Sequence, residues 1–168
     1  MRPEDVIADK QRPYTGGEYI ESLRDGREVY FDGERVADVT THPAFRNSIR
    51  SIARLYDALH DPATRDLMTG TDDFGTVTHK FFKPNKSAQD LIAAREAIAH
   101  WQRLGYGFMG RSPDYKASFM AGLAVNADYY GPYADNARAW HRRAQETAPF
   151  MNHAIVNPPI DRHLPIEE

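Results

Sequence analysis

The chain has 168 residues, 41% hydrophobic and 27% charged, enough for one domain with its own core and too apolar for a disordered segment. Twenty-one Lys and Arg against 24 Asp and Glu leave a formal charge of -3, which offers no electrostatic footprint for nucleic acid or anionic membranes. The absence of cysteine excludes disulfides, thiolate zinc sites, cysteine nucleophiles and Cys-ligated iron–sulfur clusters.

The first 14 residues carry mixed charge and two prolines and read as an extended arm. They contain no apolar h-region, and no later stretch approaches the roughly 20 apolar residues needed to span a bilayer, so a cytoplasmic location is the default expectation. Thr15 is placed to cap a short helix through Tyr19, Ile20 and Leu23, with Gly26 available to end it. REVYFDGERVADV alternates polar and apolar residues around Asp32-Gly33, which predicts a β-hairpin with a primed turn. From Pro43, the residues Phe45, Ile49, Ile52, Ala53, Tyr56 and Leu59 recur at helical spacing, with Thr41 or His42 near the cap and Asp61-Pro62 closing the run.

DDFGTVTHKFF, rich in β-branched and aromatic residues, predicts a short extended or strand segment ended by Lys83-Pro84-Asn85. Ser87 then caps a long helix with a Leu91, Ala94, Ile98, Trp101 and Leu104 stripe, terminated by Gly105-Tyr106-Gly107. Two more helices follow, one from Pro113 through Met120 and Leu123, the other from Tyr133 through Ala137, Trp140 and Ala144, separated by a turn at Tyr129-Tyr130-Gly131-Pro132. The last stretch, HAIVNPPIDRHLPIEE, is proline-broken and reads as an extended connection. The expected architecture is mainly α with a small β-hairpin, as a helical domain over residues 1–152 and an extended segment over 153–168.

No glycine-rich phosphate loop, GxSxG elbow, HExxH or EF-hand motif occurs, and the seven histidines include no pair spaced to ligate a metal on one helix face. Two looser constellations remain. In GYGFMGRSPDYK, glycines and aromatics precede Arg111 and a proline that opens a helix; Arg111 and Tyr115 fall four apart and could face the same side. An arginine beside a helix N-terminus suits an anionic ligand oxygen, although an arginine capping a carbonyl beside a half-buried tyrosine fits the spacing equally. In HAIVNPPIDR, prolines would hold the backbone extended beside a planar ligand, and His153 could hydrogen-bond or exchange a proton, or serve a structural role. Trp101, Trp140, Met120 and Met151 read as ordinary core, and the charge run from Arg138 to Glu146 as a solvated helix face.

Together with TGGEYIESLRDGREVYFDGERV, the segments GFMGRSPDYKASF and MNHAIVNPPIDR, in this order and spacing, resemble the oxygenase component of the 4-hydroxyphenylacetate 3-monooxygenase family and its relatives acting on phenols. The resemblance implies an acyl-CoA dehydrogenase-like N-terminal helical domain, followed in the family by a β-barrel and a C-terminal helical bundle, so this chain would supply roughly the first third. It implies an enzyme that takes FAD in reduced form from a separate NADH-dependent flavin reductase. With O2 this forms a flavin hydroperoxide and hydroxylates a phenol, such as 4-hydroxyphenylacetate, ortho to its hydroxyl. It assigns substrate binding and catalysis to Arg111, Tyr115 and His153, with Ser112, Pro113 and Asp114 on the same substrate-contacting loop. It places flavin contacts at His153, Ala154, Ile155, Pro159, Ile160, Asp161 and Arg162; Pro159 stands where a polar side chain is common, which leaves only its backbone for such a contact. It also implies a homotetramer for the full-length form. A fold relative, 4-hydroxybutyryl-CoA dehydratase, relies on Cys-ligated iron–sulfur chemistry, and a chain without cysteine departs from it. Alternatives are a non-catalytic fragment or helical interaction module and an acyl-CoA dehydrogenase-like flavoprotein.

Overall fold

The computed structural model describes residues 12–107, 114–151 and 163, apart from the side chain of Asp114. Helix α1, Gly16–Ser22, starts in a capping box: the Glu18 N–H donates to the Thr15 hydroxyl, and the Thr15 N–H donates to the Glu18 carboxylate. The Gly16 N–H donates to Asp57 Oδ1 at 2.7 Å, which ties α1 to the next helix. A Cβ at Gly16 would lie 2.6 Å from the Ala53 carbonyl oxygen, so only glycine permits this approach.

The predicted hairpin forms from β1, Val29–Phe31, and β2, Glu34–Val36, paired antiparallel with Val29 opposite Val36. Asp32 and Gly33 both adopt positive φ, 52° and 80°, as a primed turn requires. Only Val36 of these strands is buried; Phe31 packs edge-on against His42 and Phe45 at the surface. Helix α2, Arg46–Ala58, then presents Ile49, Ile52, Ala53, Leu55 and Tyr56 inward. No side chain caps its N-terminus; His42 Nδ1 instead accepts from the Ala44 N–H one turn earlier.

Between α2 and the long helix the structure holds more than the sequence signals. A single turn, α3, Arg65–Met68, leads into β3, Thr69–Thr71, which pairs antiparallel with β4, Val77–His79. The expected strand segment is β4, and its pairing with β3 makes a second small hairpin beside the predicted one. Thr-Gly-Thr is too short and too glycine-bearing to register as a strand. What fixes it is the turn, where Asp72 Oδ1 accepts from the N–H groups of Phe74 and Thr76. A 3-10 turn over Lys80–Phe82 follows.

Helix α4, Ala88–Leu104, is capped by Ser87, whose hydroxyl accepts from the Asp90 N–H. Its inner face is Ala94, Ala97 and Trp101; Leu91, expected in the stripe, is 60% exposed. Helix α5, Asp114–Val125, a 3-10 turn over Ala127–Tyr133 and helix α6, Ala134–Thr147, complete the described fold. The core joins Tyr19, Leu55, Tyr56, Met68, Phe82 and Trp101 to the small Ala117 and Ala144 of the last two helices.

The charge run on α6 is only partly a solvated face. Arg138 is exposed, but His141, Gln145 and Glu146 are buried. His141 Nε2 donates to the Phe82 carbonyl at 2.8 Å, and Glu146 accepts from both Arg142 and Arg143.

His79 is fully enclosed, stacked on Phe81 with Trp101 edge-on. Its Nδ1 accepts from the Phe81 N–H, so the neutral ring carries its proton on Nε2. Burial, reinforced by the charge of Lys80, holds its pKa well below the ordinary imidazole value; burial shifts His141 the same way. His79 stays neutral in the fold while the unfolded chain gains protons as pH falls below about 6.5, and His141 contributes in the same direction. Stability is therefore complete above that pH and lost below it, by up to about 1.4 kcal/mol per pH unit for a fully buried histidine. Denaturation midpoints between pH 7 and pH 5 should fall steeply, and a His79→Gln variant should show a shallower fall; equal slopes would contradict this role for His79.

Candidate functional site

Helix α5 is the element that any site at the RSPDY motif depends on. Tyr115 lies in its first turn, 44% exposed, and Phe119 one turn later is 53% exposed. Lys116 Nζ lies 4.3 Å from the Tyr115 ring centroid and 5.1 Å from that of Phe119, a cation–π contact to both. Ala117 and Ala121 face the core. The helix is thus apolar on its packed side and aromatic on its outer side, the pattern of a helix suited to being covered on both.

Helix α4 ends in a left-handed turn. Tyr106 and Gly107 both have positive φ, and the Gly107 N–H donates back to the Gln102 carbonyl at 2.8 Å. On another flank of α5, an apolar groove of about 420 Å³ is lined by Met120, Leu123, Tyr130, Tyr133, Trp140 and Met151. Met151 is the last described residue before the His153 segment. Met120 is five helical positions from Tyr115, about 7.5 Å along the axis, and His153 lies within about 7 Å of Met151 along the chain.

Of the residues singled out from the sequence, Tyr115 is described completely and Asp114 by its backbone alone. Arg111, Ser112, Pro113, His153, Ala154, Ile155, Pro159, Ile160, Asp161 and Arg162 lie outside the described residues. Trp101 is core as expected, 3% exposed, but Trp140, Met120 and Met151 are half-buried and form groove walls.

A second cavity, of about 390 Å³, opens on the other side of Trp140 and Met151. Tyr14, Tyr19, Tyr56 and Phe150 line it together with the guanidinium residues Arg27 and Arg143. Its residues come from the arm, α1, α2, the segment after α1 and the end of α6, so no local spacing could have revealed it.

Among the described residues, no group of three His, Asp or Glu side chains could hold a metal ion, and no helix is long and apolar enough to cross a membrane.

Comparison with known proteins adds what the described residues leave open. Residues 15–168 match the family described as 4-hydroxyphenylacetate 3-hydroxylase N terminal. The chain is 61% identical to the oxygenase component of 4-nitrophenol 2-monooxygenase from Rhodococcus sp, over 99% of this chain and 31% of that protein. It is 58% identical to the 4-hydroxyphenylacetate 3-monooxygenase oxygenase component of Escherichia coli, over 100% of this chain and 33% of that one. Its fold superposes with a TM-score of 0.83 on a crystal structure of a 4-hydroxyphenylacetate 3-monooxygenase oxygenase component complexed with FAD and 4-hydroxyphenylacetate. That pair is 37% identical, over 90% of this chain and 32% of the other. The chain therefore spans about a third of the length of the relatives it matches.

Proposed function

The chain belongs to the 4-hydroxyphenylacetate 3-hydroxylase N-terminal family, and we propose that it is the N-terminal part of the oxygenase component of a two-component, reduced-flavin-dependent monooxygenase. The substrate is a phenol such as 4-hydroxyphenylacetate, hydroxylated ortho to its hydroxyl. The observation that carries this reading is the family match over residues 15–168, which takes in the RSPDY and HAIVNPPIDR motifs; Tyr115 is 44% exposed on the first turn of α5, open to a ligand there.

Each residue has a distinct task. Arg111, permanently charged, hydrogen-bonds the phenol oxygen and favours its ionised form, which makes the ortho carbon more nucleophilic. Tyr115 and His153 share that oxygen's charge and fix the ring, while Ser112, Pro113 and Asp114 shape the loop against it. Reduced FAD, when bound, supplies the activated oxygen. The residues assigned to hold it are His153, Ala154, Ile155, Pro159, Ile160, Asp161 and Arg162, with Pro159 contributing backbone only. The neighbouring groove fits such a role, being aromatic, nearly free of polar side chains and within the roughly 300–1,000 Å³ range of small-molecule sites.

On this reading residues 1–152 form the helical domain and 153–168 lead into a β-barrel domain. A separate NADH-dependent reductase supplies the flavin, the complete protein is a homotetramer, and it works in the cytoplasm. The test is Tyr115→Phe, measured by product formation in the complete oxygenase. Losing one hydrogen bond to a charged oxygen should lower kcat/KM about 10- to 100-fold. An unchanged value would remove Tyr115 from the site.

A further inference from the structure

The cavity between α1, α2 and the end of α6 shares Trp140 and Met151 with the α5 groove and includes no residue of α5. We propose that it is a second ligand site, for a small aromatic carboxylate. The ring would lie among Tyr19, Tyr56 and Trp140, and the carboxylate would meet Arg27 and Arg143. The proposal does not rest on the hydroxylase reading.

Three observations carry it. The walls are aromatic: Tyr19 and Tyr56 stack on each other at 5.0 Å between centroids, with Tyr14 tilted against Tyr56 at 6.2 Å, and all three line the cavity. The Tyr56 hydroxyl is already spent on the Ala148 carbonyl at 2.8 Å, so that residue offers its ring alone. Second, the volume of about 390 Å³ is that of a small-molecule pocket.

Third, the two arginines that line it, Arg27 and Arg143, bring open donors and positive charge. Arg27 uses Nε and Nη2 on Asp25, at 2.7 and 2.6 Å, which leaves Nη1 without a partner among the described residues. Among the described residues Arg143 uses Nη1 alone, on Glu146 at 2.9 Å. Because Arg142 also bonds Glu146, two guanidiniums share that one carboxylate. A planar carboxylate is the anion whose geometry matches a guanidinium fork. Burial raises the pKa of the Tyr19 hydroxyl, and the Arg27 charge opposes that rise.

Phenylacetate is a suitable probe, since it lacks the phenol oxygen that the α5 site would read. Titrated into the 15N-labelled chain, it should shift the Trp140 indole and Arg27 Nε signals in one saturable process. Arg27→Gln should weaken binding about tenfold, since it removes the charge end-on to the carboxylate. Asp25→Asn should tighten it about threefold, because it frees two further donors of Arg27. Tyr115→Phe should leave the affinity within about twofold, as expected for separate sites. The proposal is overturned if phenylacetate causes no saturable shift at Trp140, if Arg27→Gln and Asp25→Asn both bind as the parent does, or if uncharged benzyl alcohol binds as tightly. Loss of hydroxylation in Tyr115→Phe tests the other site and leaves this result untouched.

Discussion

Replacing Arg111 by alanine in the complete oxygenase is expected to lower kcat/KM for the phenol about 100- to 1,000-fold, the effect of removing one preorganised donor from a developing oxyanion. The loss should shrink as pH rises toward the phenol's own pKa near 10, because the substrate then ionises without help from a cation. Arg111→Lys should recover part of the activity, since it keeps the charge but not the planar fork. Steady-state rates between pH 7 and pH 10 check all three expectations. A uniform loss at every pH would assign Arg111 to folding of the loop instead.

The largest expected effect on stability is at Phe82. Its side chain is 1% exposed, packs beside Phe81 and belongs to the cluster that joins α2, α4 and α6. Truncation to alanine should cost about 3–5 kcal/mol through lost burial and the cavity left behind. Against the roughly 5–15 kcal/mol that holds a domain together, this is enough to leave much of the chain unfolded at moderate denaturant. The Phe82 carbonyl also anchors His141, so the loss should spread into α6. A fall below about 1 kcal/mol in a urea titration would contradict the placement of Phe82 at the centre of the core.

Features that were legible in the sequence rest on local chemistry. Thr15 with Glu18 three residues on, Asp32-Gly33 between alternating strands, and Ser87 before a long amphipathic run each set a cap or turn through neighbouring atoms. Long-range packing overrode local pattern elsewhere. Leu91 follows helical spacing yet stays outside, because the contacts of α4 are made by Ala94, Ala97 and Trp101. Thr69–Thr71 becomes a strand because the Asp72 turn folds the chain back and supplies Val77–His79 as its partner.

The site divides the same way. Tyr115 could be read from a motif and stands outward at the start of α5. Arg111 and His153 rest on motif resemblance and family membership, since both lie outside the described residues. The Tyr19, Tyr56 and Trp140 cavity had no sequence signature, because its walls are gathered from segments more than 100 residues apart.

The central claim, that this chain carries the phenol-binding residues of a flavin-dependent oxygenase, is tested most directly in a chimera. This chain would replace the matching third of the Escherichia coli oxygenase component, with which it is 58% identical. Supplied with reduced FAD, oxygen and 4-hydroxyphenylacetate, the chimera should form 3,4-dihydroxyphenylacetate, and the Arg111→Ala version should bind flavin but make little product. A chimera that folds and binds reduced FAD yet forms no dihydroxy product, or one whose product formation is indifferent to Arg111→Ala, would contradict the account.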